Sequence, residues 1–443
     1  MKNTAFILIL AICSLMVTAQ GQMNLPKPPL GWNSWTNYGW KITEKQILET
    51  ADAMVARLKQ FGYEYIVLDA GWHEGVKKPQ DTVDQYGQLC SKTKFPHGIP
   101  WLAGQVHARG LKFGIHLMRG VSRDGYKNNI PVFGTPFLVR DVADTTSLCG
   151  WSNDNYGINM SKPGAQEYYD SYIGQIVSWG VDFIKIDDIT EHPEEVLAVK
   201  KAIIKTGKRV VLSLSPGDNS MTDLAGAYNE ADMVRVTPDI WDNQKGIDQC
   251  FTSWRRWSEV TGRKFWADMD MIPFGHLGLS DPNPNYLEPV KGEGFETGRE
   301  RMSAFSKDQK YTFISLRALS ASPLMMGGTL NSSDDFSFEL ITNKDMLACD
   351  QNGVIGKLVY EKDSVEIWKT PKSDNPNEGW LGVFNRGKKA RQLKLSLADF
   401  REQSPISLFN VWENKDLGKL TGTSGMDMLI NPNGVAFCRY KND

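Results

Sequence analysis

A chain of 443 residues is longer than one ordinary hydrophobic core serves, so a large domain with a smaller companion is the natural organisation. The formal net charge of −2 leaves no basic footprint for nucleic acid, and no acidic block marks a disordered tail. Its 14 tryptophans and 14 tyrosines can stack on the apolar faces of sugars, but they serve equally as core material.

Residues 1–19 read as a signal peptide: one lysine, an apolar run, then the small-residue cleavage pattern Val17-Thr18-Ala19. Ile12 stands where a lipoprotein signal before Cys13 would need a small residue. The mature chain is therefore expected to begin at Gln20 and to be exported, to a periplasm or outside the cell. No later window of about 18 apolar residues remains, so no membrane span is expected. The mature cysteines are Cys90, Cys149, Cys250, Cys349 and Cys438, an odd number without a CxxC, which argues against a zinc knuckle or a thioredoxin-like site.

From Pro28 the chain alternates short apolar strands with helical periodicity. A strand around Leu30 to Asn33 precedes a helix opened by the capping box of Thr43 and Gln46 and stopped at Gly62. Tyr65 to Asp69 is a second buried strand, Pro100 to Arg109 a helix, and Lys112 to Leu117 a third strand. Met118 to Met160 has poor periodicity and many Gly, Asn and Asp residues, and reads as a long loop over the mouth. Ser161 is expected to cap the next helix, with Pro163 in its first turn. The strand VDFIKIDDI follows, then a helix with Glu194 and Glu195, the strand Arg209 to Leu214, a helix from Met221 to Tyr228, and strands at Met233 to Thr237, Lys264 to Asp268 and Pro323 to Met326, the last after a helix over Tyr311 to Ser320. Eight such units predict an α/β fold, a (β/α)8 TIM barrel over residues 24–352. From residue 353 to 443, strands at short spacing predict a C-terminal antiparallel β-sandwich.

Barrel enzymes keep their chemistry at the C-terminal ends of the strands. In VDFIKIDDI, strand alternation points Phe183, Lys185 and Asp187 to one side, so an ammonium and a carboxylate enter the pocket together. The segment MVRVTPDIWD likewise places Arg235, Thr237 and Asp239 on one face, although Asp239 could instead cap a helix starting at Ile240. Trp32, Asp69, His116, Ser213 and Asp268 stand at or near other strand ends. Two carboxylates from different strands suit a retaining glycosidase: one ionised for attack, the other protonated for the leaving group, about 5–5.5 Å apart. The rival use is a magnesium site at Asp187-Asp188 or Asp268-x-Asp270. The six histidines lack any metal-ligand spacing, however, so no metal is expected, and no GxGxxG, P-loop or GxSxG precedes a helix.

PPLGWNSW, YIVLDAGW, GLKFGIH, FIKIDD, RVTPDIW, WADMDM and SPLMMGG, in this order, resemble glycoside hydrolase family 27, the family of α-galactosidases and α-N-acetylgalactosaminidases. The resemblance runs from about Pro28 to the C-terminus and implies double displacement without a cofactor. It implies Asp187 as nucleophile and Asp239 as acid/base, with Lys185, Arg235, Asp69, Trp32, Trp72 and His116 binding the sugar. Two departures bear on the substrate. Ala70 follows Asp69 where α-galactosidases usually have a second aspartate, and Ser215, beyond Ser213, stands where they often have glutamate. The expected activity is therefore an α-galactosidase acting on oligosaccharides or glycans. α-N-acetylgalactosaminidase, favoured by Ser215, and β-L-arabinopyranosidase, favoured by Ala70, stay open, and a non-catalytic sugar-binding protein is the alternative from another class.

Overall fold

The computed structural model describes residues 23–74, 89–90, 93–215, 222–279 and 300–443; the expected signal peptide, Met221 and the Cys90 side chain lie outside this description. Strands β1 (Leu30–Asn33), β2 (Tyr65–Leu68), β3 (Lys112–Met118), β4 (Phe183–Asp187), β5 (Val211–Leu214), β6 (Met233–Arg235), β7 (Trp266–Asp268) and β8 (Leu324–Met326) form one parallel sheet. Its order is β7-β6-β5-β4-β3-β2-β1-β8. An isolated parallel bridge from Ile272, just past β7, to Met326 in β8 closes the ring into a barrel.

Strand alternation sorts the side chains into two cores. Tyr65, Val67, Phe183, Val211, Met233, Trp266 and Met325 fill the barrel interior. Leu30, Trp32, Ile66, Leu68, Ile184, Ile186, Leu212 and Leu214 point outward and pack among the helices. The helix Glu44–Arg57 carries the expected capping box, Thr43 with Gln46, and ends before Gly62 in the left-handed region. The helix Lys307–Ser320 starts earlier than its apolar spacing suggests, because Ser306 and Gln309 form a second capping box.

Several sequence expectations are corrected. The segment from Met118 to Met160 is an ordered insert: Val121–Ser122, Ala143–Leu148 and Asn155–Ile158 make a small sheet with two short helices, Arg123–Asn128 and Val139–Val142. Ser161 caps no helix. Its hydroxyl donates to Asn159 Oδ1, and the helix begins at Ala165 behind Gly164, whose φ of 91° takes the turn. Asp239 caps no helix either, since the next one, Gln244–Ser258, is capped by Asn243. Its apolar residues Ile247, Cys250, Phe251, Trp254 and Trp257 recur at helical spacing, and it starts four residues later than a helix opened by Asp239 would. The helices Asp335–Ile341 and Lys344–Gln351 are additional.

Beyond Lys357 a six-stranded antiparallel sheet and a two-stranded ribbon, Arg391–Leu395 with Met426–Ile430, enclose a second core of Val365, Ile367, Leu381, Leu408, Met428 and Ile430. The other face of the sheet packs on the barrel. There Trp254 of the helix Gln244–Ser258 stacks on Trp368 at 3.8 Å, and its Nε1 donates to the Gly356 carbonyl. Cys149, Cys250, Cys349 and Cys438 are buried free thiols. Trp254→Ala is expected to cost about 3–5 kcal/mol, as for truncation of other large buried aromatics. Urea unfolding of the two proteins measures it, and a loss below about 1 kcal/mol would show that the barrel and the C-terminal sheet hold together without this contact.

Candidate active site

The end of β4 forms the floor of the site. Lys185 Nζ lies 2.8 Å from Asp69 Oδ2, at the end of β2, and 3.6 Å from Asp187 Oδ2. His116, on β3, places Nε2 2.7 Å from the same Asp187 oxygen. Facing a carboxylate, that nitrogen carries the proton and donates. Asn33 Nδ2 donates to Asp69 Oδ2, and the Asp69 N–H donates to Ser34 Oγ. All these side chains come from adjacent strands, β1 to β4, whose register sets their height in the barrel.

Burial by itself would favour a neutral Asp187, but Lys185, His116 and Arg235 outweigh it and hold the carboxyl far below the usual range. Asp69 is also lowered: burial opposes its charge, and Lys185 and His116 overcome it. Asp239 goes the other way. Partial shielding from water by the cavity walls raises its pKa, Asp270 and Asp187 add to the effect, and Arg235 and Lys185 only partly oppose them. Arg235 Nη2 is 2.9 Å from Asp239 Oδ1, and its Nη1 is 3.6 Å from Asp270. Asp270 in turn accepts the Ile240 N–H, fixing the backbone just past Asp239. Asp187 is 12% exposed and Asp239 64%, so one carboxylate lies in the floor and the other reaches the opening. Buried Asp268, with Asp270 nearby, is pushed up to about 6.

A cavity of about 580 Å³ stands over these groups, and Asp69, His116, Lys185, Asp187, Arg235 and Asp239 all line it. Trp32 and Trp72 do not. Asn33 faces inward, so alternation turns Trp32 outward, where it is fully buried and donates to the Gly328 carbonyl. Gly71, at φ 100°, redirects the chain before Trp72, whose indole is buried and donates to the His116 carbonyl. Ser213 and Ser215 line a separate cavity of about 20 Å³, which shares Lys185, Arg235 and Met271 with the larger one. The aromatic walls are instead Trp35, Trp40, Trp151 and Trp241. Trp40 stands edge-on to Trp35, and a β-carbon on Gly71 would come within 2.7 Å of the Trp40 backbone, so a glycine is needed there. Trp35 is legible two residues past Asn33; Trp151 lies in the aperiodic insert, where no sequence pattern marks it. Among the described residues, no group of three His, Cys, Asp or Glu side chains could hold a metal ion.

Comparison with known proteins places this arrangement. A family model described as alpha galactosidase A matches residues 28–156. A GH27 β-L-arabinopyranosidase from Geobacillus stearothermophilus is 34% identical, with 94% of this chain and 96% of that one covered and a TM-score of 0.85. Alpha-galactosidase 2 of Arabidopsis thaliana is 28% identical over 398 residues, 87% of this chain and 83% of the relative. Alpha-galactosidase A of Cellvibrio japonicus is 28% identical over 376 residues, with 81% and 77% covered.

The shared ammonium makes a prediction about stability. In the wild type, the depressed Asp69 and Asp187 stabilise the fold above the ordinary carboxylate pKa of about 4, and this stabilisation is lost as pH falls toward their folded values. Lys185→Met leaves both carboxylates buried without their cation, at a cost of about 3–5 kcal/mol at pH 7. Because protonation relieves that cost, the gap to wild type should narrow in acid. Urea unfolding at neutral and acid pH checks this, and a gap independent of pH would reduce Lys185 to a packing role.

Proposed function

The chain belongs to glycoside hydrolase family 27, and from that premise we propose that it is a retaining exo-glycosidase releasing terminal α-D-galactosyl units from oligosaccharides or glycans. The observation that carries the reading is a pair of carboxylates from different strands lining one cavity, Asp187 in the floor against His116 and Lys185, and Asp239 at the opening against Arg235. This company favours the Asp187 anion and raises the Asp239 pKa. Asp187 attacks the anomeric carbon while the bond to the leaving oxygen breaks, and the Asp239 proton passes to that oxygen. The resulting glycosyl ester has no charge, so Asp239 becomes more acidic and loses its hold on a proton. It then takes one from water, which attacks the anomeric carbon and releases Asp187.

His116 and Lys185 favour Asp187 as an anion both before attack and on release. The Asp69 carboxylate, with Lys185 and Asn33 about it, is suited to bind hydroxyls at the closed end of the sugar. Trp151 and Trp241 stand in the walls and offer stacking surface to the leaving sugar. The chemistry calls on no cofactor or metal. Residues 1–19 act in this reading as a signal peptide that exports the enzyme.

A second reading, β-L-arabinopyranosidase, is favoured by Ala70. Its methyl lines the cavity beside Asp69 and offers no hydrogen bond to a 6-hydroxyl, which an arabinopyranosyl ring lacks. Hydrolysis of the nitrophenyl α-galactoside, β-L-arabinopyranoside and α-N-acetylgalactosaminide separates these. We expect the highest kcat/KM for the α-galactoside, whereas a clear preference for the arabinopyranoside would transfer the assignment.

Two substitutions test the mechanism. Asp187→Asn should abolish turnover with the fold intact, and normal activity in that variant would refute the nucleophile assignment. Asp239→Asn should slow substrates with poor leaving groups by about 10²–10⁴-fold. Azide, which needs no base, should then restore turnover of an activated substrate and yield a glycosyl azide of retained configuration; an inverted product would refute double displacement.

A further inference from the structure

Arg119 is 2% exposed and lies one residue beyond β3, outside the cavity lining. Its backbone N–H donates to the Asp187 carbonyl at 3.0 Å, extending the β3–β4 ladder by one bond. Its Nε donates to the Asp188 carbonyl at 2.7 Å, and Nη2 to Asp188 Oδ2 at 2.9 Å. Its Nη1 reaches Glu195 Oε1 at 2.6 Å and Ser147 Oγ at 3.1 Å, and the Tyr169 hydroxyl donates to the other Glu195 oxygen. Asp188 has φ of 64°, a left-handed conformation that an L-residue with a side chain adopts at a cost.

We propose that Arg119 is a positioning residue for Asp187: by clamping Asp188 through both its carbonyl and its carboxylate, it holds the left-handed turn that keeps the Asp187 carboxylate in the cavity floor. The proposal rests on the reading of Asp187 as nucleophile. The strand must end at Asp187 and the chain must leave at once, and Asp188 makes that reversal. Freed of the clamp, Asp188 relaxes toward negative φ, which swings the preceding peptide and with it the Asp187 side chain.

The same arginine ties in the insert. Its carbonyl accepts from Asn155 Nδ2 at 2.9 Å, and a β-carbon on Gly157 would sit 2.3 Å from its Nη1, so a side chain there would have to displace the guanidinium and Ser147. Trp151, Ser152 and Asp154 of that insert line the cavity. One buried side chain thus sets the attacking carboxylate and one wall of the pocket in a common frame.

The test compares wild type with Arg119→Met and with Arg119→Met combined with Asp188→Gly, each checked by urea unfolding. Glycine adopts positive φ freely, so it should replace the clamp at the turn. Arg119→Met should lower kcat by about 100-fold, more than it raises KM, as for a misplaced reacting group. The double variant should recover about tenfold of that loss. A purely structural arginine predicts the opposite: removing Asp188 as well would recover stability without restoring kcat, and that result would overturn the proposal. So would an unchanged kcat in Arg119→Met.

If Arg119→Met does not fold, Arg119→Lys replaces it in both proteins, since a lysine cannot reach Asp188 and Glu195 together. If the wild type hydrolyses no glycoside, the assignment of Asp187 fails by itself. Crystal structures of the variants still decide the clamp: Asp188 remaining at positive φ, with Asp187 against His116 in the single variant, would refute it.

Discussion

The site depends on one ammonium shared by two carboxylates in a buried cavity floor. Lys185 bridges Asp69 and Asp187, which would otherwise repel each other and lose their charge on burial. Its position follows from three parallel strands in register: β2 delivers Asp69, β3 delivers His116 and β4 delivers Lys185 and Asp187. A shift of one residue in any of them would turn the charged set into the outer core and bring apolar side chains into the pocket.

Around that floor the architecture separates rigid from variable parts. The strands are short and buried on both sides, between the interior cluster and the helix layer. The walls come from longer connections: the insert after β3, which presents Trp151, and the segment after β6, which presents Asp239 and Trp241. Asp239 is set at its height by Arg235 below it and by the Ile240 N–H bond to the Asp270 carboxylate behind it. The opposed pKa shifts of the two aspartates follow from their company: removal from water raises both, cations around Asp187 overcome it, and at Asp239 the neighbours Asp270 and Asp187 reinforce it against Arg235 and Lys185.

Much of this was legible from the chain alone, and the misses are instructive. Alternation within VDFIKIDDI correctly put Phe183 inside the barrel and Lys185 with Asp187 at its mouth. The same rule applied at β1 would have turned Trp32 outward, because Asn33 is the inward residue that bonds Asp69. Trp72 could not be placed by alternation at all, since the strand has ended and Gly71 reverses the path. Ser213 and Ser215 do face inward, but too deep to reach the larger cavity. The insert defeated pattern reading because its sheet is built from two- to six-residue strands joined by turns, too short to show a period.

The sequence by itself determined the strand and helix alternation, the eightfold count, the antiparallel C-terminal part and the identity of the charged groups at the strand ends. These are local properties, fixed by periodicity, capping residues and glycine stops. Only the tertiary structure decided which aromatic side chains face the cavity, that His116 bonds Asp187, and that Arg119 clamps Asp188 from 69 positions away in the chain. Those contacts depend on barrel closure and on the path of the chain between strands, and neither leaves a periodic trace in the residues that make them.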